Sequence, residues 1–425
     1  MKLGTNSKLS PAIGNGLGGF PTRSVAKGGL NNVVGEISLL PLSVVTSKWA
    51  ILEGEYLENA TGFSVIEKVF KKSGRWEGNS KLTNPSTLPE SEANGVAFSP
   101  DGVYMSVAHN TSPYITIYKR SGDTFTKLAD PSTLPTSTAY SPAFSPDGVY
   151  MSVAHNTSPF ITIYKRSGDT FTKLDNPATL PKNHGYSVAF SPDGAHMSVA
   201  HETSPYITIY KRNGDTFTKL TNPSTLPTGS GLGVSFSPDG VYMSVAHGIT
   251  PFITIYKRDG DVFTKLANPS TLPPTAGYDV AWSPDGTYMS VAHGTSPYII
   301  IYKRSVDTFI KLSDPIIPPL SYGNGVAWSP DGMYMSVAHS TSPFITIYKR
   351  DGDVFTKLAN PSTLPANTGN SVAFSLDGVY MVVAHSTSPC ITIYKASSMQ
   401  IAFQTQTQVI TPNGALKQYI RITND

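Results

Sequence analysis

The sequence predicts an all-β protein, a seven-bladed β-propeller built from 46-residue, four-stranded repeats. The first observation is a tetrapeptide that returns every 46 residues, six times as Ser-Pro-Asp-Gly and once as Ser-Leu-Asp-Gly. These tetrapeptides begin at Ser99, Ser145, Ser191, Ser237, Ser283, Ser329 and Ser375. The second is that β-branched and aromatic residues fill short runs that turn residues separate. The third is the near-identity of the copies, which indicates one architecture of equivalent units.

Each repeat divides into four strands at its turn signals. In the first repeat, the predicted strands cover residues 96–99, 104–109, 114–120 and 124–128. Pro100, Asp101 and Gly102 form the first turn: proline sets its φ, aspartate caps the turn and glycine takes the left-handed position. A Pro-rich connection at 130–134 leads into the next repeat. Four antiparallel strands per repeat favour a propeller blade over a helical solenoid.

Both faces of each blade are predicted to be covered by neighbouring blades. Met105 and Val107 point to one face of the second strand, and Tyr104 and Ala108 to the other, so neither face is polar. One aromatic residue per first strand is expected in the core. These residues are Phe98, Phe144, Phe190, Phe236, Trp282, Trp328 and Phe374.

The two ends of the repeat region are predicted to close the ring. Six fourth strands follow the seven copies of the first three, and the missing one occurs at the front, in residues 76–82. We expect this segment to pair with the third strand of the last repeat, Ile391–Lys395, which removes the exposed sheet edges. An eighth blade is the alternative, because residues 63–70 resemble another third strand and Asn413-Gly414 marks a hairpin in the tail.

The predicted organisation has four parts. Residues 1–32 form an extended arm with seven glycines, four basic residues and no acid. Residues 33–74 form a β-type anchoring segment, 75–395 the propeller, and 396–425 a β-hairpin tail that packs near the N-terminal segment. A disordered start is the alternative interpretation of the arm, which cannot bury a core of its own.

Composition excludes several classes of protein. The chain has 425 residues, 39% of them hydrophobic, and a net charge of +3, which argues against disorder and against nucleic-acid binding as the main task. One cysteine, Cys390, excludes an intramolecular disulfide framework. The sequence has no apolar stretch of about eighteen residues, so no membrane span is predicted, and the opening residues lack the apolar core of a signal peptide.

The recurrent polar residues are predicted to be structural. Seven histidines, one per repeat, end the second strands, and we expect each to hydrogen-bond turn backbone rather than share a metal ion. The aspartates of the tetrapeptides are interpreted as turn formers, and Arg120 with its equivalents as partners in exposed cross-strand ion pairs with Asp123. No catalytic motif, metal site or cofactor site is predicted.

Ligand binding is predicted at the loops in which the seven repeats differ most in sequence. The repeats differ most between the Leu-Pro of the connector and the first strand, and these loops share one face of a propeller with the turns after the histidines. Tyrosines and asparagines there suit sugars or peptides, although neutral drift of exposed loops is the alternative. The candidate ligand-binding residues are Asn94, Tyr140, His184, Tyr186, Tyr278, Asp279, Tyr322, Asn324 and Asn370.

The repeats resemble WD40-like propeller modules. The resemblance rests on the Ser-Pro-Asp-Gly hairpin, the strand ending in Ala-His and the third strand Ile-Thr-Ile-Tyr-Lys, where Tyr118 and its equivalents stand where that family often has Trp. The Gly-His and Trp-Asp elements of true WD40 repeats are missing, so that family's buried polar tetrad does not carry over. Near-identical 46-residue copies are similar to propeller modules of tailed-bacteriophage and prophage structural proteins.

The resemblance implies a non-enzymatic virion protein, a fibre, spike or decoration, that is assembled in the host cytoplasm and present in multiple copies. Its expected partners are other virion proteins, through the N-terminal arm, and a host-surface glycan or protein; neither nucleic acid nor membrane insertion is expected. An intracellular, cytoplasmic WD40-like interaction scaffold is the second hypothesis. A glycan-processing propeller enzyme is the third.

Overall fold

The computed structural model describes residues 37–40, 70–403, 408–410 and 416–421, with side chains from 75 to 397. Residues 73–399 form one compact unit that contains all seven repeats, and residues 1–72 with 400–425 form another. The predicted arm at 1–32 and residues 63–69 of the eighth-blade alternative lie outside the described residues. In the described part of the chain, no helix is long and apolar enough to cross a membrane.

Seven sheets of four antiparallel strands make up the repeat unit, as predicted, and we number them as blades 1 to 7 in chain order. The first strands are Ala93–Phe98, Ala139–Phe144, Gly185–Phe190, Gly231–Phe236, Gly277–Trp282, Gly323–Trp328 and Gly369–Phe374. The second strands are Tyr104–His109, Tyr150–His155, His196–His201, Tyr242–His247, Tyr288–His293, Tyr334–His339 and Tyr380–His385. The third strands are Ile115–Ser121, Ile161–Ser167, Ile207–Asn213, Ile253–Asp259, Ile299–Ser305, Ile345–Asp351 and Ile391–Lys395. The fourth strands are Thr124–Lys127, Thr170–Lys173, Thr216–Lys219, Val262–Lys265, Thr308–Lys311, Val354–Lys357 and, for blade 7, Ser80–Lys81.

Five further strands lie near the chain ends. Ile37–Leu40 pairs with Leu416–Arg421, which also pairs with Gln408–Ile410. Phe70–Arg75 pairs with Ser398–Phe403 in a two-stranded sheet. The described sheets therefore give seven blades and not eight.

In the first repeat, five of the eight strand boundaries differ from the predicted ones, by one to three residues, and two of them have a clear local cause. The first strand ends before Ser99, because the Ser99 hydroxyl accepts a hydrogen bond from the Tyr104 amide (2.8 Å) and donates one to Asp101 (2.5 Å). The third strand starts after Tyr114, whose φ of 65° is left-handed and incompatible with a strand. Gly102 has a φ of 65°, which confirms the predicted turn.

The front segment closes the ring as predicted. Ser80 pairs with Lys395 and Lys81 with Tyr394, so the fourth strand of blade 7 comes from the start of the repeat region. Trp76 is 1% exposed and meets the ring of Phe374 edge-on at 5.2 Å. In the strand register Asn79 stands where the other blades have phenylalanine, and Trp76 makes the edge-on ring contact that Phe171 makes with Phe144 in blade 2.

Neighbouring blades bury both faces of each sheet, as predicted. Met105 and Val107 of blade 1 pack in one cluster with residues of blade 7, and Tyr104 and Ala108 pack in another with residues of blade 2. The core therefore lies between the blades. Of the seven first-strand aromatic residues, four are buried and three are half-buried; the three are Phe98, Phe144 and Phe374.

A polar network joins each blade to the next, and we call each such contact a joint. At joint 1–2, Tyr104 and Lys119 of blade 1 both bind Asp169 of blade 2, at 2.5 and 2.8 Å. In return, Arg166 of blade 2 pairs with Asp101 of blade 1 at 3.2 Å and lies 4.8 Å from the centroid of the Tyr104 ring. The network thus links the first turn and the second and third strands of blade 1 to the third strand and the following turn of blade 2.

The expected pairing of Arg120 with Asp123 inside one blade is wrong. Arg120 binds Asp377 of blade 7 at 2.7 Å, while Asp123 binds Tyr380 and Lys395 of the same neighbour. The arginine projects sideways from the third strand toward the preceding blade, so its carboxylate partner is 257 residues away. These ion pairs belong to the ring and not to a single sheet.

The seven histidines lie inside the blades and are completely buried. Nε2 of His109 lies 3.0 Å from the Thr116 hydroxyl on the third strand of the same blade. The threonine hydroxyl is thus a hydrogen-bond partner of the histidine that the sequence does not predict, since the expected partner is the turn backbone. In blade 5, Ile300 replaces this threonine. Burial lowers the pKa of six of them to about 4, namely His155, His201, His247, His293, His339 and His385.

Replacing Trp76 with alanine is expected to lower the free energy of unfolding by about 3–5 kcal/mol, because a buried indole leaves a cavity at the closing joint. Urea unfolding followed by circular dichroism measures the loss. The control is Val262→Ala, since Val262 is 63% exposed on a fourth strand and should change stability by less than about 0.5 kcal/mol. Equal midpoints for W76A and V262A would contradict the closure.

Acidification from pH 7 to pH 5 is expected to destabilise the ring. The buried histidines have native pKa values of about 4, whereas histidine in an unfolded chain titrates near 6.5. The unfolded state therefore binds protons that the native state excludes, and stability falls by about 2 kcal/mol per histidine at pH 5. For Asp101, burial would raise the pKa, but hydrogen bonds from Ser99 and the Val103 amide lower it overall. Such carboxylates lose their contribution only below about pH 4.

Urea midpoints at pH 7 and pH 5 test this assignment. In His155→Asn, the loss between the two pH values should shrink by about 2 kcal/mol. The control is His184→Asn, at a side chain that is 35% exposed, and should leave the difference unchanged. A wild-type midpoint that is the same at both pH values would show that the histidines are not held neutral.

Candidate functional site

A β-bulge places one variable residue of each repeat at one end of the ring. In all seven blades the register slips between the first and third residues of the first strand, so the second residue is the bulged one. Bulges redirect a side chain out of the regular ladder. The bulged residues are Asn94, Tyr140, Tyr186, Leu232, Tyr278, Asn324 and Asn370. We call this end, with the loops before the bulges and the turns after the histidines, the mouth.

The three bulged asparagines connect neighbouring blades. Each Nδ2 donates to the carbonyl of the first residue in the next blade's first strand, at joints 1–2, 6–7 and 7–1. The pairs are Asn94 with Ala139 (2.8 Å), Asn324 with Gly369 (2.9 Å) and Asn370 with Ala93 (2.9 Å). Their amide donors therefore serve the ring on one side of the mouth.

The opposite side of the mouth is aromatic and apolar. Tyr140, Tyr186, Leu232 and Tyr278 come from the consecutive blades 2 to 5. The rings of Tyr140 and Tyr186 are in contact, with centroids 5.4 Å apart and planes inclined by 54°. Tyr278 is 38% exposed and lies over Gly294, where an added Cβ would meet its hydroxyl at 3.2 Å. The mouth is thus asymmetric although the blades are nearly identical.

A carboxylate lies beside the tyrosine pair. Glu202, in the turn after the blade 3 histidine, accepts a hydrogen bond from Asn183 Nδ2 at 2.7 Å and lies 3.5 Å from His184 Nδ1. His184 meets the Tyr186 ring edge-on at 6.2 Å. Burial raises the pKa of Tyr140 and Tyr186, and the negative charge of Glu202 raises both further. The structure therefore brings Tyr140, His184 and Tyr186 together around Glu202.

Sequence reasoning missed Glu202 and Asn183. A signal existed, because the residue after each second-strand histidine is Asn, Gly or Ser in the six other blades. The glutamate at that position differs from the other six repeats, and such differences between repeats are also the criterion that selects the candidate ligand-binding loops. The contact with His184 could not be read from the sequence, since the two residues lie in different loops.

Asp279 connects blade 5 to blade 6. It lies one residue after the bulge, at a position where the six other blades have Gly or Ser. Its oxygens accept hydrogen bonds from the amides of Val280 and, in blade 6, Val326, each at 2.9 Å. Ser187 accepts one from Val234 of blade 4 in the same way, at 3.2 Å. The residue is half-exposed, yet the surrounding first strands desolvate its carboxylate and raise its pKa to about 6.

Tyr322 lies apart from the tyrosine pair. It is 55% exposed and its ring meets that of Tyr298 edge-on, with centroids 6.4 Å apart. The preceding Leu320 is 59% exposed. The predicted residues therefore divide into a blade 2–3 cluster, an asparagine side and separate aromatic residues on blades 5 and 6.

Known proteins resemble the chain in fold. No family model matches the sequence, and no curated protein does. Among solved structures, hydrazine synthase from Kuenenia stuttgartiensis superposes with a TM-score of 0.58 at 16% identity, covering 74% of this chain and 99% of that one. A proposed 6-phosphogluconolactonase from Bacteroides uniformis superposes with a TM-score of 0.54 at 16% identity, covering 70% and 99%. At these identities the likeness shows the fold: the chain contains a seven-bladed β-propeller of four-stranded blades.

Proposed function

We propose that this protein is a non-enzymatic recognition module whose mouth binds a component of a host-cell surface. The observation that carries the proposal is the asymmetry of the mouth. One side of the mouth presents tyrosines, whereas on the other side the asparagine amides are hydrogen-bonded to the neighbouring blades. An asymmetric ligand requires non-equivalent residues, and exposed aromatic surface with a few polar groups is typical of binding sites.

We further propose that the module is a structural protein of a tailed-phage virion, a fibre, spike or decoration, anchored through its N-terminal region. Two sequence features support this assignment: the near-identical 46-residue repeats and the 32-residue basic, glycine-rich arm. Such a segment gains order by binding a partner, and other virion proteins are the partners proposed for it. Multiple copies on a particle would multiply a weak contact at each mouth.

A non-enzymatic role is supported by the contacts of the repeated carboxylates. Asp101 binds Ser99 and Arg166, and Asp169 binds Tyr104 and Lys119, so both groups are engaged in joints. Asp279 is held by two backbone amides. These carboxylates stabilise the ring, and the proposed function assigns them no reaction.

Co-sedimentation with bacterial envelopes tests the recognition role. The full chain is mixed with envelopes isolated from a panel of Gram-negative and Gram-positive bacteria, and bound protein is measured in the pellet. The triple variant Y140A/Y186A/Y278A should reduce binding at least about tenfold, because it removes the aromatic side of the mouth.

The matched controls are substitutions at the end of the ring opposite the mouth, where each introduces the residue that the other blades have at that position. Val306→Gly and Leu376→Pro remove apolar groups that are 77% and 61% exposed, and should leave envelope binding unchanged. No binding to any envelope would overturn surface recognition. Mouth-dependent capture of one soluble cytosolic protein, without envelope binding, would instead establish the scaffold hypothesis.

Incubation with the bound polysaccharides tests the absence of turnover. The full chain is expected to release no new reducing ends, as measured by a colorimetric reducing-sugar assay over a day. Glu92 lies in the loop before the blade 1 bulge and accepts hydrogen bonds from Asn110 and Asn370. Release that is abolished by Tyr186→Ala or Glu92→Gln would overturn the non-enzymatic assignment in favour of a glycan-processing propeller.

A further inference from the structure

The loop before the first strand of blade 3 differs from its six counterparts. Asn183 has a φ of 66°, and in the described part of the chain none of the six equivalent residues has a positive φ. In blades 1, 2 and 6 a serine occupies this position, and its hydroxyl accepts a hydrogen bond from an amide of the following turn. Left-handed residues other than glycine are uncommon and cluster where function requires a particular geometry.

The unusual backbone of Asn183 positions a carboxylate. Asn183 Nδ2 donates to Glu202 Oε2 at 2.7 Å and reaches the Thr203 hydroxyl at 3.3 Å, whereas Asn367 at the equivalent position of blade 7 donates to the Thr387 hydroxyl at 2.9 Å. The Nδ1 of His184 lies 3.5 Å from the same oxygen. Both contacts use Oε2, so Oε1 is available to a ligand, and the Glu202 side chain is 40% exposed.

The adjoining tyrosines form a platform and not a cage. The rings of Tyr140 and Tyr186 touch each other, with centroids 5.4 Å apart, and leave no gap for a cation between them. His184 supports Tyr186 from the side. The result is a half-exposed aromatic surface of two rings inclined by 54°, with the Glu202 carboxylate held beside it as a hydrogen-bond acceptor.

We propose that Tyr140, Tyr186, His184 and Glu202 form a subsite for a neutral pyranoside. The C–H face of a pyranose ring packs on the aromatic platform, and ring hydroxyls donate to the Glu202 carboxylate. The negative charge of Glu202 disfavours an acidic sugar at the same place. This inference rests on the proposed function, since it names the ligand class of the mouth that we assign to recognition.

Saturation-transfer NMR on the full chain tests the subsite. The probes are the methyl pyranosides of glucose, galactose, mannose and N-acetylglucosamine, with methyl glucuronide and choline as charged competitors. Wild-type protein should transfer saturation to ring C–H protons of at least one neutral pyranoside. Tyr186→Ala and Glu202→Gln should each weaken that binding about tenfold or more, since one removes the platform and the other the charged acceptor.

The matched control is Val306→Gly. Val306 is 77% exposed in the turn between the third and fourth strands of blade 5, where blades 1 to 4 and 6 have glycine, so this change should leave pyranoside binding unchanged. Thermal unfolding of all three variants excludes loss of folding. Equal weakening by V306G, preferential binding of choline or glucuronide, or no binding of any neutral pyranoside would overturn the subsite.

The envelope assay separates failure of the subsite from failure of the proposed function. If wild-type protein binds envelopes and E202Q binds equally well, the subsite is wrong while recognition by the mouth stands. If neutral pyranosides bind but no envelope is retained, the subsite stands and the surface-recognition role is wrong.

Discussion

Packing between blades is the constraint on which the structure depends. A single four-stranded sheet with two apolar faces cannot bury either face alone, so each second strand packs against two neighbours. The joints add directional contacts to this packing: at joint 1–2 one carboxylate, Asp169, receives both Tyr104 and Lys119 from the adjacent blade. At joint 6–7, Glu77 from the front segment binds Tyr334 and Lys349 in the same way. Closure therefore reproduces the chemistry of an ordinary joint with residues from outside the seven copies.

The loops of the mouth can vary because most of the apolar packing and the repeated ion pairs between blades lie away from them. The Tyr–Asp–Lys and Arg–Asp groups lie at the turns on the opposite end of the ring from the mouth. The buried histidines are the last residues of the second strands. Residues before the first strand contact the turn of their own blade, as Asn183 contacts Glu202, and in places the turn of the preceding blade, as Ser230 contacts the Glu202 carbonyl. A change there removes little of the interblade packing. The near-identity of the blade interiors and the divergence of the loops thus have one physical cause.

Local chemistry explains which parts of the structure the sequence predicts. The alternation of Met105 and Val107 with Tyr104 and Ala108 is enough to predict two-sided packing, and the turn residues delimit the strands. Contacts between blades cannot be read in this way. Arg120 pairs across the ring closure with Asp377, and nothing in the repeat distinguishes that carboxylate from Asp123. The same limit applies to the mouth: the tyrosines are visible as departures, while the role of Glu202 depends on how two loops meet.

The bulged position shows how a closed ring accommodates a ligand surface. Asparagine at this position ties three joints, and the tyrosines of blades 2, 3 and 5 cannot replace that bond. Other devices take over next to them: Ser187 accepts a blade 4 amide at joint 3–4, and Asp279 accepts a blade 6 amide at joint 5–6. At joint 4–5, Gly233 allows an approach so close that an added Cβ would lie 2.8 Å from the Asp279 Cα. At joint 2–3 the Tyr140–Tyr186 contact itself connects the blades. The aromatic side of the mouth is therefore compatible with closure because each joint beside it is joined by a different residue.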